Sequence, residues 1–403
     1  MRRASEAQRQ RLHQTFAELC RIESPSGNER ACADWVAREL EAIGLAVEED
    51  DAGAAAGANA GNLLVRIPAG AGEAERQPGD EGERQPGDEG ERQPPSIMLC
   101  SHLDTVPATG PIEPVVVDGG WTNAKPTILG ADNKAAVAVL LELARGVVGS
   151  AQPQPAGVEL VFTVSEENGL HGAKAFDVSQ LRSSIGFVFD HASPIGEIVI
   201  ASPTYHRLEA EFGGRAAHAG LRPEDGRSAI AAAARAIGAL PLGRLDEETT
   251  CNVGTIAGGT AANVVPERCE VTGEARSLSD QRVEEVVTAM VDAFQDAADA
   301  GECDLDVRVQ RMFSGYRVKT RERQVEVAER ALAACGYAPA HILTGGGSDA
   351  NAFVANGFPC LNLANGTERN HEPGERVSVD ALEGMLEVAF ALVREAVADP
   401  GAV

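Results

Sequence analysis

Three short apolar runs constrain this chain more than anything else in it. SIMLCSHLD (96–104), GVELVFTVSEE (157–167) and GFVFDH (186–191) are strand-length, each ends on histidine or acid, and segments of helical period separate them. Short apolar runs that alternate with helical patterns argue for an α/β sheet with helices on both faces. Ligands in such sheets sit beyond the carboxyl ends of the strands, which is where this chain keeps its histidines and carboxylates.

The alternation begins near the N-terminus and is interrupted twice. Helical patterns run from about Glu6 to Cys20 and from Asn28 to Ile43, the second after the start signal Pro25-Ser26-Gly27. Strands follow near Asn62–Ile67 and Ser96–Cys100, and between them the octapeptide ERQPGDEG occurs at 75–82 and again at 83–90. Rich in Pro, Gly and charge with almost nothing apolar, residues 71–95 cannot repay their ordering entropy and read as a disordered surface insertion in a hairpin-like connection. A helix from about Asn133 to Val148, a strand at 158–164, a short helix at 170–176 and a strand at 185–189 continue the alternation.

After Pro203 the texture changes. Strand 206–213, helix 225–239, strands 250–257 and 268–276, helix 279–300 and strand 304–312 make a β-α-β-β-α-β unit. The first texture then resumes, with helix 322–335, strand 340–343, helix 348–355, strand 359–363 and a last helix from about Val379 to Val397. The expected organisation is an α/β domain, a mixed sheet flanked by helices, split into parts 1–204 and 316–403 around an inserted α+β domain at 205–315.

Composition narrows the partners. A length of 403 residues suits about two domains. The net charge of −26 would repel nucleic acid and anionic membrane alike. Eight cysteines, scattered singly within apolar or helical patterns, read as small hydrophobes of a reduced chain. The N-terminus MRRASEAQRQRLHQTF has basic residues but no apolar core, and no segment approaches a membrane span. A cytoplasmic location is expected.

The chemistry-bearing residues gather at strand and loop ends. His102 and Asp104, two apart on a strand, share a face, so the carboxylate can orient an imidazole that binds metal. Asp132 stands in a turn after Gly130 where a helix begins, and could equally cap that helix. Glu166 and Glu167 end the next apolar run; on a strand, neighbouring side chains diverge to opposite faces. Asp190 ends the third run, and His371 lies in the polar loop NGTERNHEPGERVSV before the last helix. Each is ordinary alone. Together, several carboxylates on one rim would repel and raise one another's pKa unless a cation joined them. Imidazole with carboxylate suits zinc, with manganese or cobalt possible, and five such ligands fit two bridged ions better than one catalytic zinc.

The order SHLDT, GADNKAA, SEENGLHG, FDHAS and NHEPGE resembles the dimetal peptidases of the M20 family, particularly the peptidase T (tripeptide aminopeptidase)-like branch. GGRAAHAGLRPEDGRSAI, GTIAGGTAANVVPE and EARSLSD in the inserted domain resemble the same branch. The resemblance implies that Asp132 bridges two ions, that His102 and Asp190 complete one site and Glu167 and His371 the other, and that Asp104 buttresses His102. It implies Glu166 as general base, taking a proton from the metal-bridging water and returning it to the leaving amine. Asp at 190 tilts the family reading toward aminopeptidases and dipeptidases. The inserted domain resembles the family's lid and dimerisation domain, with His218 serving a catalytic site, that of the partner subunit, and Asn263 and Arg276 binding substrate.

GGGSDANAF (345–353) lacks the phosphate-loop pattern and carries an acid where phosphate would be repelled. It reads instead as close backbone approach to substrate at Gly346 and a helix start at Ser348. His171, His191, His206 and His341 read as structural, His191 least clearly because it follows Asp190. Asn133 replaces a second Asp of the common pattern without being an expected ligand. The implied activity is a cytoplasmic, homodimeric, two-zinc exopeptidase that removes the N-terminal residue of short peptides. A deacylase of N-acyl amino acids is the alternative, and a non-catalytic binding protein of the same fold is a remote one.

Overall fold

The computed structural model describes residues 4–70, 96–150 and 152–397, so the ERQPGDEG repeat lies outside the described residues. The chain forms two compact units, one of Met1–Ile200, Val318–Ile342 and Ser348–Val403, the other of Ala201–Arg317 and Leu343–Gly347.

The first unit is built on a mixed sheet whose strands lie in the order Val47–Glu49, Leu63–Ile67, Gly157–Thr163, Ser96–His102, Gly186–His191, Cys360–Ala364, Glu197–Ser202. Ser96–His102, Gly157–Thr163, Gly186–His191 and Cys360–Ala364 run parallel to one another, so their carboxyl ends share one edge. Glu197–Ser202 pairs antiparallel with Cys360–Ala364 and makes the sheet mixed. Gly157–Thr163 is buried at every position, as befits a strand covered on both faces. Helix Ala131–Val148 is buried almost all round, which follows from the run AAVAVLLELA, apolar except for Glu142, itself buried and paired with Arg11 at 2.6 Å. Helix Glu6–Cys20 begins with a capping box: the Ser5 hydroxyl accepts from the Gln8 N–H, and the Gln8 side chain accepts from the Ser5 N–H at 2.9 Å.

One expectation fails here, and one sheet was not expected at all. Leu63–Ile67 and Ser96–His102 do not pair with each other; Gly157–Thr163 lies between them, antiparallel to the first and parallel to the second. Nearness in sequence favours a hairpin, but the two-sided burial of Gly157–Thr163 wins. A second sheet, Thr367–Glu368, Arg376–Ser378, Gly120–Asn123 and Pro114–Val117, is absent from the sequence reading. Strands of two to four residues carry too little alternation to be read, yet this sheet holds the loop that bears His371.

The second unit is an antiparallel sheet in the order Gly243–Asp246, Thr249–Gly258, Arg268–Ser277, Thr204–Gly213, Asp304–Phe313, with helices Ala229–Ala239 and Asp280–Ala300 on one face. Leu208, Phe212, Val271, Met290 and Phe294 form its core. The short edge strand Gly243–Asp246 adds to the expected β-α-β-β-α-β order. The first helix starts at Ala229, not near 225, because the Ser228 hydroxyl caps it by accepting from the Ala231 N–H at 3.2 Å; Pro223–Asp225 forms a separate 3-10 turn.

Gly347 packs on the Phe313 ring of the same unit, where an added Cβ would stand 2.3 Å from the nearest ring atom. That close approach is to protein. Gly347→Ala should therefore destabilise this unit by about 1–3 kcal/mol through overpacking, measured as a lower midpoint in urea. Seven of the eight cysteines are buried and none forms a disulfide. Among the described residues no helix is long and apolar enough to cross a membrane.

Candidate active site

The shared carboxyl edge of the parallel strands gathers His102, Asp132, Glu166, Glu167, Asp190 and His371. His102 ends its strand, and Asp190 lies one residue before the end of Gly186–His191. Asp132 follows Gly130, whose left-handed φ of 76° turns the chain into its helix. Glu166 and Glu167 lie beyond strand Gly157–Thr163, after Ser165 with a φ of 55°. Their divergence is therefore set by a turn, not by the pleat of a strand. His371, also left-handed at a φ of 66°, lies between two short strands of the small sheet.

The His102 Nδ1 lies 3.0 Å from the Asp104 carbonyl oxygen, an acceptor only, so Nδ1 carries a proton and Nε2 faces the site. That Nε2 stands 3.4 Å from Asp132 Oδ1 and 3.5 Å from Asp190 Oδ1. On the other side, His371 Nε2 stands 3.2 Å from Asp132 Oδ2 and 3.0 Å from Glu167 Oε1. Asp132 thus turns one oxygen to each imidazole. Asp132 Oδ1 and Glu167 Oε1 are buried and, among the described residues, have no partner in hydrogen-bonding geometry. Donors about 2.1 Å from one tetrahedral ion stand about 3.4 Å from each other. Spacing, donor chemistry and unpaired oxygens all fit two divalent cations, one on each side of Asp132. The ligand atoms of His102, Asp132 and Glu167 lie within 4.8 Å of one another, as do those of His102, Glu166 and Asp190.

Supporting residues hold this rim in place. Asp104 orients His102 with its carbonyl oxygen, while its carboxylate lies 3.4 Å from His102 Nδ1. The carboxylate accepts from the N–H groups of Glu166 at 3.0 Å and Glu167 at 3.1 Å, and from the Ser26 hydroxyl at 2.6 Å. Buried Glu29 accepts from the Ser165 N–H at 3.1 Å. Asn133 donates to Asp190 Oδ1 at 3.2 Å, Asn362 brackets the Asp190 backbone, and Asn370 donates to Asp132 Oδ2 at 2.8 Å. Glu375 accepts from the N–H groups of Leu129, Gly130 and Asp132, each at 2.8 Å. Buried Asp349 accepts from the Thr163 hydroxyl. Glu29, Asp349, Asn362, Asn370 and Glu375 escaped the sequence reading. A lone polar residue has no period or spacing to mark it, although Glu375 does lie within NHEPGE.

The electrostatics are those of crowded acids around two bases. Burial and then the Asp190 charge hold Glu166 well above the usual carboxylate range, and burial raises Glu167 and brings Asp190 to about 8. Burial opposes charge on His102, but Asp190, Asp104 and Asp132 outweigh it and keep that imidazole well above 6.5. Asp132 and Glu167 push His371 up to about 10. In the metal-free chain near pH 7 both imidazoles therefore hold protons that an ion must displace. Affinity for a divalent cation should rise as pH rises toward 10 and fall on acidification, with proton release on binding. Calorimetry in buffers of different ionisation enthalpy measures that release.

Among the other expected residues, the second unit brings His218 and Asn263 together. Ala219 N–H donates to the Asn263 carbonyl at 3.0 Å, and the exposed His218 accepts from the Gly220 N–H at 3.2 Å. Arg276 stacks on Tyr205 at 4.2 Å, pairs with Glu274 at 3.1 Å and donates to the Gly345 carbonyl at 3.2 Å. The Gly346 carbonyl accepts from Ser202 at 2.8 Å. Ser348, buried in the first unit, stands at the N-cap position of helix Asp349–Ala355, where its N–H donates to Asn351 Oδ1 at 3.1 Å. His206 lies near Glu284 and Arg311, His341 pairs with Glu329 at 2.9 Å, and His191 belongs to neither candidate metal group among the described residues.

Two imidazoles and a ring of carboxylates on the carboxyl edge of an α/β sheet define a metallohydrolase. Comparison with known proteins agrees. Residues 201–302 match the peptidase dimerisation domain of the M20 family, and residues 84–195, which hold every clustered residue except His371, match peptidase family M28. The uncharacterized protein YqjE of Bacillus subtilis is 35% identical over 96% of this chain and 98% of its own. Aminopeptidase PepT of Bacillus cereus superposes with a TM-score of 0.80 at 36% identity, covering 97% of this chain and 99% of that one. A tripeptidase of Staphylococcus aureus superposes with a TM-score of 0.85 at 31% identity, covering 96% and 98%. The chain belongs to the M20 family of dimetal peptidases, on its peptidase T-like branch.

Proposed function

We propose that this chain is a two-zinc aminopeptidase that removes the N-terminal residue from short peptides, and that it works as a cytoplasmic homodimer. The observation that carries the reading is Asp132, whose two oxygens face different imidazoles at 3.4 and 3.2 Å. The aminopeptidase and tripeptidase likenesses support the substrate class, and the dimerisation-domain match supports the dimer. His102, Asp132 and Asp190 would hold one ion, and Asp132, Glu167 and His371 the other.

When bound, the ions polarise the scissile carbonyl and ease deprotonation of water. Glu166 accepts the proton of the attacking water and passes it to the leaving amine, a task suited to a carboxylate whose pKa burial has raised. Asp104 fixes the turn that aims Glu166, through the two N–H groups it accepts from. His218 stabilises the developing oxyanion, in the catalytic site of the partner subunit. Asn263 and Arg276 bind the peptide backbone or carboxylate, and the Gly346 backbone approaches it.

The test is a substrate panel run on the preparation whose metal content is measured. Two zinc ions per chain and turnover of tripeptides are expected. Activity confined to N-acetyl or N-succinyl amino acids would move the function to a deacylase. Inactivity on every substrate with zinc, manganese and cobalt in turn would sink the hydrolase reading.

A further inference from the structure

Helix Ala131–Val148 begins irregularly, with Asp132 and Asn133 outside helical φ/ψ and no side-chain cap of its own. Its N-cap residue is Gly130, which has no side chain to offer the orphan N–H groups of a first turn. Asp132 is the acid nearest in sequence, yet its carboxylate points to His102 and His371. Glu375 instead holds the turn that leads into the helix. One carboxylate oxygen accepts from the Leu129 and Gly130 N–H groups and the other from the Asp132 N–H, all at 2.8 Å. Glu375 is 1% exposed, and Arg376–Ser378, which begins at the next residue, pairs with Gly120–Asn123. It also stands four residues after His371 on the same loop.

We infer that Glu375 is a positioning residue for the dimetal centre: it holds the turn before the helix, leaves the Asp132 carboxylate to face both imidazoles, and ties the His371 loop to that turn. The inference rests on the reading that these residues hold two ions. Without the Glu375 carboxylate, three buried N–H groups lose their acceptor, and the Asp132 carboxylate, on the same turn, can replace it. Turning toward them, it would leave one or both imidazoles. Outer partners of metal ligands typically govern affinity by about ten- to a hundredfold.

The experiment compares wild type with Glu375→Ala and the isosteric Glu375→Gln, each stripped of metal and titrated with cobalt(II). Chelator competition gives the affinity, the visible absorption band reports the coordination geometry, and circular dichroism of the metal-free proteins reports the fold. Wild type binding two cobalt ions, Glu375→Ala binding at least tenfold more weakly with an altered band, and Glu375→Gln falling between them is the expected result. Wild type that fails to bind two ions overturns the dimetal reading, and this inference with it. Two ions in wild type together with unchanged affinity and band in Glu375→Ala overturns this inference alone. Glu375→Gln that loses the metal-free fold assigns Glu375 to stability and overturns the inference as well.

Discussion

Glu166→Gln should lower turnover of a tripeptide by about 10²- to 10⁴-fold, the usual contribution of a positioned general base, while the protein still binds two ions. Geometry alone admits a competing role, because the ligand atoms of Glu166, His102 and Asp190 lie within 4.8 Å of one another, close enough for Glu166 to be a ligand. The electrostatics suit a base. Glu166 is buried, and desolvation followed by the Asp190 charge keeps its pKa well above the ordinary range. Burial raises Glu167 and Asp190 as well, so the shift does not separate base from ligand, but a base that must hold a proton between two steps gains from it. Gln keeps the volume and one oxygen but cannot accept the proton, so kcat should fall with metal content intact. Its neighbour gives the contrast: Glu167→Gln should lose the ion beside His371, whose Nε2 lies 3.0 Å from Glu167 Oε1. Loss of metal from Glu166→Gln would reassign it as a ligand.

The residues that chemistry needs at strand ends were legible because an apolar run marks a strand and a parallel sheet places its ligands at the carboxyl edge. His102 and Asp190 announce themselves that way. Glu166 and Glu167 were found by a wrong route, since they sit in a turn and not on a pleated strand. What could not be read is whatever depends on partners far along the chain. Glu375 matters through the N–H of Leu129, 246 residues away, and no local pattern marks an acid that holds a distant turn. The small sheet under His371 is equally silent, because its strands are held by pairing across the fold more than by their own alternation. Asn133 and Asn362 hold Asp190 from two sides, and a lone asparagine reads as a turn or surface residue. Tertiary contact, not sequence, sets the second layer of this site.

Asp132→Ala should remove both ions together, where loss of any other ligand removes one. Oδ1 faces His102 and Oδ2 faces His371, so this single side chain is common to the two sites. The two imidazoles outweigh burial and hold its carboxyl well below the ordinary range, so it stays an anion throughout the neutral range. Removing it leaves His102 and Asp190 on one side and His371 and Glu167 on the other, two donors for each ion and fewer than the three protein ligands a catalytic zinc ordinarily has. Cobalt titration of Asp132→Ala should therefore show less than one tightly bound ion per chain and no measurable tripeptide turnover. His371→Ala should retain one ion, on the His102 side. The metal-free fold should survive, because Glu375 holds the Asp132 turn through backbone N–H groups that the substitution leaves in place. One tight ion remaining in Asp132→Ala would show that a site can form without it, and the bridge would have to be abandoned.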